Sequence, residues 1–218
     1  MSALDRDEGL DYKSSGLDAA VILAAIHRRP LDERILTPGQ NSFLSPSDPR
    51  VLATAHALKR AFKAGYAVNQ RDLPGTAIGR YPEDRYYGGN PWVLLTLAFS
   101  QLHAMAAREF MQRRAVPVHE ASLGFLQDLL EDPADRPGLR AGVVLTPSDP
   151  LFTKVILGMM RESDAYLERV KAHANPDGSL SEQMDRDSGY MTSARDLTWN
   201  YASLLSALEA RDALREGR

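Results

Sequence analysis

The sequence predicts an all-α protein, and three observations carry that reading. Apolar residues recur at helical spacing in six segments, and no segment shows a convincing strand alternation. Pro- and Gly-rich polar loops precede most helix starts, and three helices open on Asp-Pro or Asn-Pro. The helices alternate between apolar on most sides and one-faced, with long loops between them. That alternation suggests a toroid of helical hairpins, although an irregular bundle has the same periodicity. With no short-period repeat, a solenoid is not indicated.

Residues 1–13 read as a tail. The first helix is expected from Ser14, with Ser15 as cap and Leu17, Val21 and Ile26 among many Ala up to His27. Residues 28–47 hold Pro30, Pro38, Gly39 and Pro46 and read as loop. Asp48-Pro49 opens the second helix, with Asp at the cap and Pro at the first helical position. Val51, Leu52, Ala55, Leu58 and Phe62 form its face, and Gly65 its end. Residues 66–90 form a long connection of the kind that is usually functional.

Asn90-Pro91 repeats the capping device and places Trp92 at the second helical position. Leu95, Phe99, Leu102, Ala106 and Phe110 share one face of the helix that follows. Trp92, Val93, Leu94 and Leu97 make its first half apolar nearly all round, as in a central buried helix. A shorter helix is expected from Pro117 to about Leu130, with Leu123, Leu126 and Leu130 inward, then a loop over 131–147. Asp149-Pro150 opens a long helix to about His173, with Phe152, Ile156, Met159, Tyr166 and Val170 inward. After the polar stretch Asn175–Trp199, Ser193 is expected to cap the last helix, with Asp196 three residues on. Leu197, Tyr201, Leu204, Leu205 and Leu208 are its expected face.

Composition excludes several function classes. A net charge of −3 and a pI near 6.0 leave no basic footprint for nucleic acid. No apolar run reaches the roughly 18 residues of a membrane-spanning helix. The absence of Cys removes disulfides and thiolate chemistry. The polar, acidic N-terminus is not a secretory signal, and localisation stays open. His27, His56, His103, His119 and His173 form no metal-ligating pair, so no metal site is expected. Phosphate-loop and nucleophile-elbow spacings are missing, and no cofactor is expected.

Two polar loops carry chemistry. In the run GRYPEDRYYGGNPW, Arg80, Glu83, Asp84 and Arg85 lie among Tyr81, Tyr86, Tyr87 and Trp92. Sugars present hydroxyls, which suit charged partners, and C–H faces, which stack on aromatic rings. The same composition also suits a loop held together by Arg–carboxylate pairs with aromatic anchors. In the second loop Glu182 has Ser and Gln neighbours, so it can stay ionised and orient a water as a general base. A solvated acidic loop has the same pattern.

These residues carry a resemblance. GRYPEDRYYGGNPW and SLSEQMDRDSGYMTSARDLTWNYASLL resemble segments of glucoamylases, glycoside hydrolase family 15, and SGLDAAVILAAIH resembles a helix of that family. The resemblance runs from about Ser14 to about Leu208 and implies an (α/α)6 toroid of helical hairpins, of which this chain would form about half. It implies a tail over 1–13, the C-terminal part of a glucoamylase-like catalytic domain over 14–212, and a tail over 213–218. It implies a glucan 1,4-α-glucosidase, an inverting hydrolase that releases glucose from non-reducing ends of starch and maltooligosaccharides. Glu182 falls on the general base and Arg80 on the substrate-contacting Arg, with Tyr81, Glu83, Asp84, Tyr86 and Trp92 lining or supporting the site.

The family's general acid, a sugar-packing aromatic and an Arg-Asp pair belong to an earlier segment, without counterparts here. An inverting enzyme needs acid and base carboxyls about 6.5–9.5 Å apart. The expected partners are therefore an α-glucan or maltooligosaccharide and an N-terminal half that carries the acid, and apolar faces are expected where that half would pack. The alternatives are a non-catalytic sugar-binding fragment or a helical interaction fragment.

Overall fold

A computed structural model describes residues 11–28 and 43–216. Six α-helices run through the described residues: α1 (Ala20–His27), α2 (Pro49–Gly65), α3 (Val93–Arg113), α4 (Leu123–Asp128), α5 (Pro150–His173) and α6 (Thr198–Arg215). The first strand pair is β1 (Val116–Pro117) with β2 (Val144–Leu145). The second is β3 (Ser181–Met184) with β4 (Met191–Arg195), and both pairs are antiparallel. Neither was expected. Strands of two to five residues with sequences such as SEQM and MTSAR are too short and polar to show alternation.

Helix α3 is the axis of the fold and packs on α1, α5 and α6. Its buried residues surround the helix, from Val93 and Leu97 to Phe110. Where α3 meets α5, small side chains let the backbones approach, and the Ser100 hydroxyl donates to the Ser163 carbonyl at 2.9 Å. The expected inward faces of α2 and α5 are buried residue for residue. At their starts Asp48 accepts from the Arg50 N–H at 2.9 Å and Asp149 from the Leu151 N–H at 2.8 Å, each followed by Pro.

Four expectations shift. Helix α1 begins at Ala20 rather than Ser14, because Ser14 and Ser15 are bonded to Glu83 and Asp18 accepts the Ala20 N–H. Helix α3 begins after Trp92, which stays extended because its N–H donates to the Ile78 carbonyl at 2.8 Å. The expected helix from Pro117 shortens to a 3-10 turn and α4. In α6, Leu205 is exposed, and the buried stripe is Asn200, Ala207 and Leu214 at seven-residue spacing. That rotation presents the small Ala207 inward and lets the Asn200 amide donate to the Ser181 carbonyl at 2.8 Å. Of the expected loop over 28–47, residues 29–42 lie outside the described residues.

Two buried polar side chains organise the long connection after α2. The Asn69 amide bonds the Phe62 and Ala77 carbonyls and the Ala77 N–H. Arg169 of α5, with 1 % exposure, donates to the carbonyls of Val68, Leu73, Pro74 and Gly75. Buried backbone carbonyls need donors, and these two side chains supply them. A groove of about 540 Å3 lies between α5 and α6, with Leu167, Val170, Leu180, Leu204 and Leu208 in its wall beside Asp164, Glu168, Lys171 and Arg211.

Candidate active site

The two polar loops meet at strand β3. On one edge β3 pairs with β4. On the other, Gln183 bridges to Trp92 and the Met184 N–H donates to the Pro91 carbonyl at 2.9 Å. The strand bearing Glu182 thus lies between its own hairpin partner and the end of the Arg80–Trp92 loop.

Glu182 sits at a bulge. Ser181 pairs with Arg195 but Gln183 pairs with Thr192, so Ser193 and Ala194 together oppose Glu182. Ser193 absorbs the extra residue with φ 67°, a left-handed conformation, and its hydroxyl turns to donate to Glu182 Oε2 at 2.6 Å. It therefore does not cap α6, which starts at Thr198 without a side-chain cap. The Gln183 amide donates to the same Oε2 at 3.2 Å. Oε1 accepts no bond from the described residues. The carboxylate has one anchored oxygen and one available to take a proton from water, as a general base requires.

Arg80 is held just as firmly. Its Nε and Nη2 donate to the two oxygens of buried Asp84, each at 2.7 Å. The guanidinium lies 5.5, 4.9 and 5.4 Å from the ring centres of Tyr81, Tyr86 and Trp92. Its Nη1 makes no bond to the described residues and keeps both of its N–H groups as donors. Gly89 closes the turn with φ 62°, and a Cβ there would collide with the Asp84 carbonyl. Beside this group lies a cavity of about 230 Å3 walled by Lys13, Asp18, Leu23, Arg80, Tyr81 and Trp92. Glu182 is not among its lining residues.

Glu83 is engaged elsewhere. Its carboxylate accepts from the Ser15 N–H at 2.5 Å and from the hydroxyls of Ser14 and Ser15 at 3.1 and 3.0 Å. Burial pushes its pKa up, but the Ser15 N–H and the serine hydroxyls hold it below the usual carboxylate range. Both carboxylates of the loop are thus committed, Asp84 to Arg80 and Glu83 to the segment before α1. Tyr81 in turn lies 5.8 Å from the Tyr12 ring, with the Lys13 ammonium 4.6 Å over its face.

The model of the family described as "Glycosyl hydrolases family 15" matches residues 4–209. The chain belongs to glycosyl hydrolase family 15. It is 35% identical over 204 residues to "Glucoamylase 1" of Rhizopus oryzae, covering 90% of this chain and 31% of that protein. To "Glucoamylase, intracellular sporulation-specific" of Saccharomyces cerevisiae it is 33% identical over 215 residues, covering 92% and 38%.

Among solved structures it is similar to the family 15 glucoamylase from Hypocrea jecorina, with a TM-score of 0.77, 34% identity and coverage of 90% of this chain and 31% of that one. It is also similar to the glucoamylase from Saccharomycopsis fibuligera, with a TM-score of 0.80, 25% identity and coverage of 96% and 43%. The all-α architecture is accordingly a partial (α/α)6 toroid. The chain spans about a third of the length of the curated relatives it matches.

Three residues beside the family 15 loops were assigned other roles on sequence or none. Ser193 read as a helix cap, because Ser followed three residues later by an acid is a capping pattern and a left-handed bulge leaves no sequence mark. Asn90 read as a cap, yet its amide lies against Gln183. The Trp199 ring lies 5.8 Å from that of Trp92 and is 43 % exposed. A Trp in the first turn of a helix that follows a polar loop was the available signal.

Proposed function

We propose that Glu182 is the water-activating general base of an inverting glucan 1,4-α-glucosidase that releases glucose from the non-reducing ends of α-1,4-glucans. The observation that carries this is the clamped carboxylate: Oε2 is held by Ser193 and Gln183, and Oε1 takes no donor from the described residues. Arg80 offers Nη1 to vicinal sugar hydroxyls while Asp84 fixes its plane. Tyr81, Tyr86 and Trp92 supply ring faces and Glu83 ties the loop to the segment before α1.

Protonation of the leaving oxygen needs a second carboxyl. With Glu83 and Asp84 both committed, that acid is assigned to a segment equivalent to the part of the relatives that this chain does not span. Without general-acid assistance the rate is lower by about 10²–10⁴-fold.

The test measures glucose release from maltoheptaose by the chain alone and mixed with the N-terminal part of a relative's catalytic domain, with the product anomer read by NMR. The expected result is β-glucose from the mixture and none with Glu182→Gln. No glucose from a folded mixture, or an unchanged rate with Glu182→Gln, overturns the proposal.

A further inference from the structure

A chain of buried amides leads from the aromatic loop to Glu182. Asn90 is 8 % exposed and Gln183 is fully buried. The Asn90 Oδ1 accepts from the Arg186 N–H at 3.1 Å. Its Nδ2 donates to the Tyr87 carbonyl at 3.0 Å and to Gln183 Oε1 at 3.2 Å. Gln183 Nε2 then donates to Glu182 Oε2 at 3.2 Å.

Every orientation in this chain is forced. A backbone N–H only donates, so Asn90 must present its oxygen to Arg186. Its nitrogen must then face the Tyr87 carbonyl, which only accepts, and Gln183. Gln183 must answer with its oxygen, which leaves its nitrogen for the carboxylate. One main-chain donor, two residues from Met184 at the end of β3, thereby dictates which way the amide beside Glu182 points. The same Asn90 nitrogen closes the turn Tyr87–Gly89, whose three residues all have positive φ.

We propose that Asn90 is a positioning residue: acting through the buried Gln183 amide as a relay, it sets the rotamer of Glu182 and registers the Tyr86–Gly89 turn against it. The inference rests on the reading of Glu182 as general base. Ser193 holds Oε2 from the β4 side and the relay holds it from the loop side. Two donors on different elements define a direction for the carboxylate plane where one would leave a pivot.

Asn90→Asp discriminates because it is nearly isosteric. The new carboxylate still accepts from the Arg186 N–H, but its second oxygen faces the Tyr87 carbonyl and Gln183 Oε1. Gln183 must turn over to donate to it, which sets Oε1 against the Glu182 carboxylate.

The experiment uses the full chain, ¹⁵N-labelled, and follows the Gln183 side-chain amide, assigned by its disappearance in Gln183→Glu. In the parent those signals move as Glu182 is titrated, and they stop moving in Glu182→Gln. In Asn90→Asp the response is expected to vanish while the backbone amide dispersion is kept. If that variant loses its dispersion, Asn90→Ala takes its place and is expected to weaken the same response. In the mixture that releases glucose, Asn90→Asp is expected to lower kcat about 10²-fold with KM within about two-fold.

A Gln183 amide blind to Glu182 in the parent overturns the relay, as does an Asn90 variant with an unchanged response or unchanged kcat. A parent mixture without turnover overturns the base role of Glu182 instead, and the amide response alone then decides the relay.

Discussion

The Ser193 hydroxyl donates to Glu182 Oε2 at 2.6 Å across a bulge that no regular hairpin would contain. The bulge gives Ser193 a left-handed backbone, so two effects share one residue. Ser193→Gly removes the hydroxyl and relieves the backbone, whereas Ser193→Ala removes the hydroxyl and keeps the strain. In the mixture that is proposed to release glucose, both variants are expected to lower kcat on maltotriose about ten-fold, the worth of a hydrogen bond to a charged group. Thermal melting is expected to place Ser193→Gly above Ser193→Ala. A Gly variant with full kcat would show that the hydroxyl does not serve Glu182.

Arg80 combines a two-point bond to Asp84 with three aromatic neighbours, which no ammonium can reproduce. Arg80→Lys is expected to weaken maltose binding about ten-fold, roughly 1.4 kcal/mol, with the far-ultraviolet circular dichroism unchanged. Calorimetric titration of both proteins checks this, and equal affinity would remove Arg80 from the sugar contacts.

Arg169 is the internal clamp of the connection that carries the Arg80 loop. Arg169→Met keeps the packed stem and leaves four carbonyls without a donor. Urea denaturation is expected to show a loss of at least about 3 kcal/mol, because buried acceptors stripped of partners carry their full desolvation cost.

Burial pushes the imidazoles of His56, His103 and His173 below their ordinary value. His103 is enclosed by the Phe125 and Tyr166 rings, with Nδ1 2.7 Å from the Phe99 carbonyl. Below about pH 6.5 the unfolded chain binds more protons at these residues than the folded chain does. Their contribution is therefore fully present above about pH 6.5 and falls as pH drops toward the lower folded values. Glu162 acts in a lower window: burial pushes it up, but the Lys59 ammonium, bonded to it at 2.8 Å, outweighs this and holds it below the carboxylate range. Its contribution is lost only below about pH 4.5. The urea midpoint is expected to fall between pH 7.5 and pH 5.5, and His103→Asn is expected to flatten that fall.

Helix existence and the faces of α2, α3 and α5 were readable in the chain, because a 3.6-residue period and an Asp-Pro start are local facts. The motifs around Arg80 and Glu182 were readable for the same reason, as contiguous runs. Where local rules had a tertiary rival, the rival won. Ser15 and Asn90 look like caps but are bonded to Glu83 and Gln183, partners far along the chain. Leu205 matches the helical period of α6, yet the bond from Asn200 to the Ser181 carbonyl turns it to solvent.

The sequence by itself determined a mainly helical chain and marked Glu182 and Arg80 as candidate site residues, since composition, period and motif are carried by neighbours along the chain. Only the tertiary structure decided how Glu182 is aimed. That direction depends on a bulge in β4, a bridge from Trp92 and one backbone donor at Arg186, and hydrogen bonds between residues distant in sequence leave no pattern in it.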